Sequence, residues 1–247
     1  MGEKEPNMAT ELQVIGEVIE ASTTEFVAES RELHSPPPFG SFVRVAWNGD
    51  ESPAAVHSDA GDPFEEDRFR RNAGKFGSAY RLAVEGDSSD PLPHAIEPAI
   101  YAVVHHATTG SVDSGRRHRA YWKDEQQLSA EQPEMEWLLL TEFRAIIIGY
   151  SSNGFIRQFL PPQPPKIHLP VHPCSNDEIR LITSKMDFLR TLTTYRNAPA
   201  DEVVAACIRQ AFAVRGGDFL VAAGKELANL LKDDYDRLQA IMRRAEV

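Results

Sequence analysis

The sequence has few cysteines and no long apolar run. Its 247 residues include two cysteines, Cys174 and Cys207, which is too few for a disulfide framework or a four-cysteine zinc site. No run approaches the roughly 18 apolar residues that a membrane-spanning helix needs. The polar first ten residues do not resemble a signal peptide. These absences predict a soluble, cytoplasmic protein without a membrane span.

Basic residues are also in the minority. The chain has 26 lysine and arginine residues against 37 aspartate and glutamate residues, which gives a formal net charge of −11 with histidine neutral. Such an acidic chain is a poor match for non-specific nucleic-acid binding, which depends on basic surface. Hydrophobic residues still make up 42% of the chain, so a substantial core can form.

Motifs for nucleotide binding and nucleophilic catalysis are missing from the sequence. The segment Gly217–Glu226 superficially resembles a phosphate loop, but it lacks the first glycine and the Ser or Thr after the Gly-Lys pair. No Gly-x-Ser-x-Gly elbow is present. Cys174 precedes a predicted helix N-terminus, a position that lowers a thiol pKa, yet no base is identifiable. We therefore predict no enzyme activity, no catalytic residue and no cofactor.

The N-terminal part has the pattern of short β-strands. Apolar and polar residues alternate from Leu12 to Glu20 and again from Phe39 to Trp47. β-forming residues return at Ile100–Val104, and Ala145–Ile148 is a continuous apolar run typical of a strand buried on both faces. Five or six such strands predict a small closed or nearly closed barrel.

The boundaries of the predicted parts follow from composition. A flexible tail over 1–11 precedes a barrel over 12–158, which contains a polar insertion over 48–98. Six prolines between 159 and 174 favour an extended connector. The apolar period then changes to 3.6 over 175–247, beginning with a capping box at Ser175 and Glu178. The predicted fold class is α+β, with an N-terminal small β-barrel followed by a C-terminal four-helix domain.

Two groups of residues are candidates for binding. His168, His172 and Cys174 lie within seven residues and offer a ligand set that zinc accepts, although no second pair of ligands is evident. A basic and aromatic segment is the other candidate: Arg116, Arg117, Arg119, Tyr121 and Trp122. Such a mixture suits single-stranded nucleic acid and also protein–protein hot spots. The net negative charge favours a protein partner.

The order of the N-terminal strands resembles a known domain. The segments that carry the resemblance are Ile15-Gly16-Glu17-Val18-Ile19, Thr23-Thr24-Glu25-Phe26-Val27, Phe39-Gly40-Ser41-Phe42-Val43-Arg44-Val45 and Ile100-Tyr101-Ala102-Val103-Val104. They resemble the HAS barrel, which HerA-type DNA-translocating ATPases and F-type ATP synthase subunits share. The later sequence is similar to free-standing HAS-barrel proteins of cyanobacteria and similar bacteria in the segments Pro133-Glu134 through Leu139, Thr141-Glu142-Phe143, Ile148-Gly149-Tyr150 and the Pro161–Pro165 tract.

The resemblance implies a role in docking or assembly. In the ATPases this barrel forms a crown on a ring and can dock accessory proteins, but here no RecA-like domain with Walker motifs follows. It therefore implies a non-enzymatic adaptor that binds a protein partner, either a ring ATPase or a second copy, through its barrel. A DNA-processing accessory that contacts single strands is the alternative, and a metal-dependent enzyme using His168, His172 and Cys174 is a third hypothesis.

Overall fold

The computed structural model describes residues 13–47, 97–113, 115, 120, 137–152 and 154–245. All of these residues belong to one compact unit. The predicted tail over 1–11 and most of the predicted insertion over 48–98 lie outside the described residues.

The strands form one antiparallel sheet that closes on itself. Within the described residues the strands are β1 (Gly16–Ala21), β2 (Glu25–Ser30), β3 (Phe42–Ala46), β4 (Ala99–Ser111), β5 (Leu139–Ser152), β6 (Phe155–Arg157) and β7 (Pro170–Pro173). Their order is β2-β1-β7-β3-β4-β5-β6, and β2 also pairs with β5. This additional pairing closes β1 to β5 and β7 into a six-stranded barrel, and β6 pairs with β5 outside it. A small closed barrel is confirmed.

Side chains on the strands alternate between two cores, as the two-residue period of a strand requires. One core fills the barrel interior and includes Phe26, Val43, Ala102 and Ile147. The outer faces of β4 and β5 contribute to the other core. The predicted apolar run Ala145–Ile148 serves both, because Ala145 and Ile147 belong to the interior core whereas Ile146 and Ile148 belong to the outer one.

The C-terminal part is helical and packs on the outside of the barrel. Its helices are α1 (Asn176–Ile182), α2 (Asp187–Thr194), α3 (Ala200–Arg215), α4 (Gly217–Leu230) and α5 (Tyr235–Ala245). Residues Phe188, Leu192 and Val204 share the outer core with Tyr101 and Ile146 of the barrel. The α+β class is therefore confirmed. Within the described ranges, none of the helices has the length and apolarity to cross a membrane.

Within the described residues the C-terminal part has five helices where the sequence predicts four, and the capping-box helix that begins after Ser175 is short. The chain leaves the helix after Ile182, and the amide of Gln158 fills the break. The Gln158 Nε2 group donates to the carbonyls of Ile182 and Lys185, and its Oε1 accepts from the backbone N–H of Phe188 at 3.0 Å. One side chain thus satisfies groups at the end of α1 and the start of α2 that a helix break leaves unpaired.

A barrel strand lies inside the segment that the sequence predicts as a connector. β7 pairs with both β1 and β3, with Val171 opposite Gly16 and Val45. Proline cannot donate to a ladder, and the two prolines of β7, Pro170 and Pro173, occupy the ends of the strand. The barrel therefore closes only after the chain has passed through β6.

Candidate functional site

The β4–β5 hairpin is longer than the other barrel strands. β4 has 13 residues and β5 has 14, whereas β1, β2 and β3 have five or six. The two long strands remain paired as far as Ser111 and Leu139, and the N–H of Val112 still donates to the carbonyl of Leu138 at 2.9 Å. We call residues 108–113 and 137–142 the hairpin arm.

Two exposed apolar side chains lie where the described part of the hairpin arm stops. Trp137 is 86% exposed and Val112 is 58% exposed. Trp and other aromatic side chains bury about 150–250 Å² when they pack, and burial contributes about 25 cal/mol for each Å² of apolar surface. Tryptophan is one of the residue types enriched at the hot spots of protein–protein interfaces.

Hydrogen bonds at the base fix the arm to the rest of the barrel. The Thr109 and Thr141 hydroxyl oxygens lie 2.8 Å apart, and the Thr141 hydroxyl also accepts from the backbone N–H of His34 at 2.9 Å. His34 has a φ of 61°, an uncommon conformation outside glycine. Thr141 itself is only 1% exposed and both bonds are part-buried, so they link the base of the arm to the rest of the barrel.

The predicted basic and aromatic candidates belong to the same hairpin in sequence. Arg116, Arg117, Arg119, Tyr121 and Trp122 all fall between β4 and β5. They lie outside the described residues, so the structure neither places them on the arm nor separates them from it.

A part-buried polar cluster around the buried His105 lies at the boundary between the barrel and the helices. His105 Nε2 lies 3.3 Å from Glu25 Oε2, and the hydroxyl of Tyr195 donates to the same carboxylate oxygen. The His105 and Tyr195 rings meet edge to face with their centroids 5.4 Å apart. His105 falls at a register shift of β4, and such bulges re-aim side chains and are frequent near functional sites.

Burial controls the protonation of this cluster. Desolvation lowers the pKa of His105, although the neighbouring Glu25 carboxylate acts in the opposite direction. Burial raises the pKa of Tyr195 well above its ordinary value, and the hydrogen bond to Glu25 adds to the rise. A neutral imidazole and a neutral phenol therefore face a single carboxyl group.

A second polar cluster ties β3 to α1. The buried Arg44 Nε lies 3.1 Å from Glu178 Oε1, and its Nη1 lies 3.6 Å from Glu97 Oε2. Glu178 is also the residue that completes the capping box with Ser175, as the sequence predicts. Burial raises the pKa of the nearby Tyr101 to about 12. The cluster joins β3 to α1, and its Glu178 and Arg44 charges also act on the nearby Cys174 thiol.

The structure does not bring the three metal candidates together. His168 pairs with Glu17, with its Nδ1 2.7 Å from Oε1, and both side chains are mostly exposed. His172 lies on β7 with its Nδ1 3.3 Å from the carbonyl of Gln13. In the part of the chain that the structure describes, no three His, Cys, Asp or Glu side chains form a metal-sized group.

Cys174 also differs from the expectation for a thiol at a helix N-terminus. It is half-buried, and desolvation together with the Glu178 carboxylate raises the pKa of its thiol. The thiol is therefore protonated at neutral pH and a weak nucleophile.

An open depression of about 480 Å³ lies beside β1 and β2. Its lining includes Glu17 and Glu29 together with Arg31 and His168. Acidic and basic side chains are thus mixed over a small area. The lining therefore favours neither an anionic nor a cationic ligand. Of the three candidate metal ligands, His168 lines this depression.

Comparison with protein-family models and with curated proteins gives no match to this chain. Trp137, Glu25 and Tyr195 were not singled out in the sequence. Trp137 begins the apolar run Trp137–Leu140, a pattern that favours burial, so its exposure is evident only in the folded structure. Glu25 and Tyr195 are 170 residues apart in the chain, so only the folded structure shows that they meet.

Proposed function

We propose that this protein is a non-enzymatic adaptor that binds a protein partner through its barrel, with the hairpin arm as the contact surface. The observation that carries the proposal is Trp137, whose indole is 86% exposed on the hairpin arm, the base of which is hydrogen-bonded to the barrel. Because hydrogen bonds hold the base of the arm, the arm loses little conformational entropy on binding, which favours docking of its exposed aromatic side chain.

The resemblance to the HAS barrel suggests the first class of partner to test. A ring ATPase would accept such a barrel as an accessory module, and a second copy of this chain would give a self-assembled form. The closed barrel among the described residues supports this as an analogy of fold. The analogy transfers no catalytic role to any residue.

The first experiment is a tagged co-purification from the native cells with quantitative mass spectrometry. The wild-type chain is compared with a double variant, Val112→Ser with Trp137→Ala, that removes the apolar surface of the arm. The matched control is Val221→Ser with Tyr235→Ala, since those side chains are 58% and 65% exposed on the helices.

The expected result is one protein recovered in a fixed ratio by the wild type and the control and lost with the arm variant. Loss of a hot-spot tryptophan costs about 2 kcal/mol or more in binding, roughly a thirtyfold weaker complex. Equal recovery by all three chains would exclude the arm as the contact surface. A steady ATPase rate of the purified chain, abolished by one substitution, would overturn the adaptor itself.

The nucleic-acid alternative predicts a different response. A salt-dependent affinity for a labelled single-stranded oligonucleotide, lost when Arg116, Arg117 and Arg119 are changed together to Ala, would support the accessory hypothesis. Absence of binding at low salt would remove it. Metal analysis of protein purified without a His-tag tests the third hypothesis, which a metal content near zero would end.

A further inference from the structure

Three side chains from different elements meet at one carboxylate oxygen. Glu25 of β2 accepts a hydrogen bond from Tyr195 and lies within hydrogen-bond distance of His105 of β4, and the two rings contact each other. Tyr195 directly follows α2, and α3 begins at Ala200. These two helices pack against β5 and β4, respectively. The cluster therefore ties the α2–α3 junction to the barrel.

The surroundings of His105 oppose a proton on its ring. Its side chain is 3% exposed, and desolvation is the main cause of its lowered pKa. His106 of β4 and Arg144 of β5 act in the same direction, whereas Glu25 of β2 opposes them. With Tyr195 from the helical layer, these are the titratable and charged groups that face His105 among the described residues. The Glu25 side chain is 22% exposed, so solvent protons can reach the cluster.

We propose that the Glu25–His105–Tyr195 cluster is a proton-operated latch, which holds the α2–α3 junction on the barrel while His105 is neutral and releases it when His105 is charged. A neutral His105 uses one N–H to donate to Glu25 and places its ring against Tyr195. A charged imidazolium needs hydration that this buried position does not supply. An opened arrangement, with Tyr195 moved away and water admitted, supplies that hydration.

The direction of the pH dependence follows from linkage. The pKa of His105 is lower in the closed form than in the opened form, where the ring is hydrated. The closed form therefore loses stability as pH falls through the ordinary histidine value of about 6.5, and the loss ends below the lower pKa of the closed form. For one proton, the opening constant rises by at most about tenfold for each pH unit within that window. The latch does not depend on the proposed adaptor function.

Hydrogen exchange followed by mass spectrometry tests the latch in the full-length chain. Protection is measured between pH 7.5 and 5.5 and corrected for the intrinsic exchange rate. Peptides that cover α2 and residues 195–199 are expected to lose protection as pH falls, while peptides from the barrel interior keep theirs. Unchanged protection of α2 over this range would overturn the proposal.

Variants separate the roles of the residues in the cluster. His105→Gln keeps an N–H donor but cannot gain a proton, so it should abolish the pH dependence of α2 protection. His106→Gln, at the exposed neighbouring position, is the matched control and should retain it. Tyr195→Phe should lower protection at every pH, because it removes the hydroxyl from Glu25 but leaves His105 to titrate.

Two outcomes would contradict the latch directly. One is a His105→Gln protein with the same pH dependence as the wild type. The other comes from an NMR titration of His105 in the wild type, which does not require the variant to fold. A native pKa at or above that of a free histidine would remove the physical basis of the proposal.

Discussion

Replacing Gly40 by alanine will weaken the packing of the helices on the barrel. Gly40 lies just before β3 with a φ of +83°, and a Cβ built there would stand 2.4 Å from the Cβ of Ala206 on α3. The glycine cannot move away easily, because its N–H donates to the carbonyl of Val104 at 2.8 Å. The methyl group is therefore confined between a barrel strand and a helix.

The cost can be separated into two parts. A non-glycine residue in the left-handed region costs about 1–2 kcal/mol, and overpacking adds about 1–3 kcal/mol. Gly154 provides the matched control, because its φ is +77° but an added Cβ would find open space. We therefore expect Gly154→Ala to lose only the conformational part and Gly40→Ala to lose about 2–5 kcal/mol in the free energy of unfolding.

Urea unfolding measures the difference between the two variants. With a slope of about 2 kcal/mol per M, an additional loss of about 2 kcal/mol lowers the midpoint by about 1 M. Adding Ala206→Gly should recover part of the steric loss, although backbone atoms of Ala206 and Cys207 stand at 2.7 and 2.9 Å from the same Cβ. Equal midpoints for Gly40→Ala and Gly154→Ala would refute the steric argument.

The remaining predictions concern the break after α1, its cap and the buried thiol. Gln158→Ala should destabilise the fold by about 2–3 kcal/mol in urea unfolding, since it leaves part-buried backbone groups unpaired, while the exposed Gln163→Ala should have almost no effect. Ser175→Ala should cost about 0.5–2 kcal/mol through loss of the capping box, and a loss no larger than that of the exposed Ser184→Ala would contradict it. Cys174 should react slowly with iodoacetamide at pH 8, because its thiol pKa is raised in the folded chain. In the unfolded chain the Cys174 thiol loses its proton at a lower pH than in the folded chain. The free energy of unfolding should therefore fall as pH rises through about 8.5, and it should fall less steeply in Cys174→Ser.

The α+β class and the small barrel could be predicted from local patterns. Strand alternation and the 3.6-residue helical period each report on one buried face, and the capping box at Ser175 depends on a contact three residues away. In each case the deciding contacts are close in the chain or repeat along it.

The tertiary structure alone decided the features that join distant segments. β7 closes the barrel against β1 from about 150 positions further along the chain, and proline content indicated a connector there. The helix break depends on Gln158, which no helical pattern includes. The Glu25–His105–Tyr195 cluster needs β2, β4 and the α2–α3 junction together. The periodicity of a sequence indicates which face of a helix or strand is buried. Which other helix or strand packs against that face is decided only when the whole chain folds.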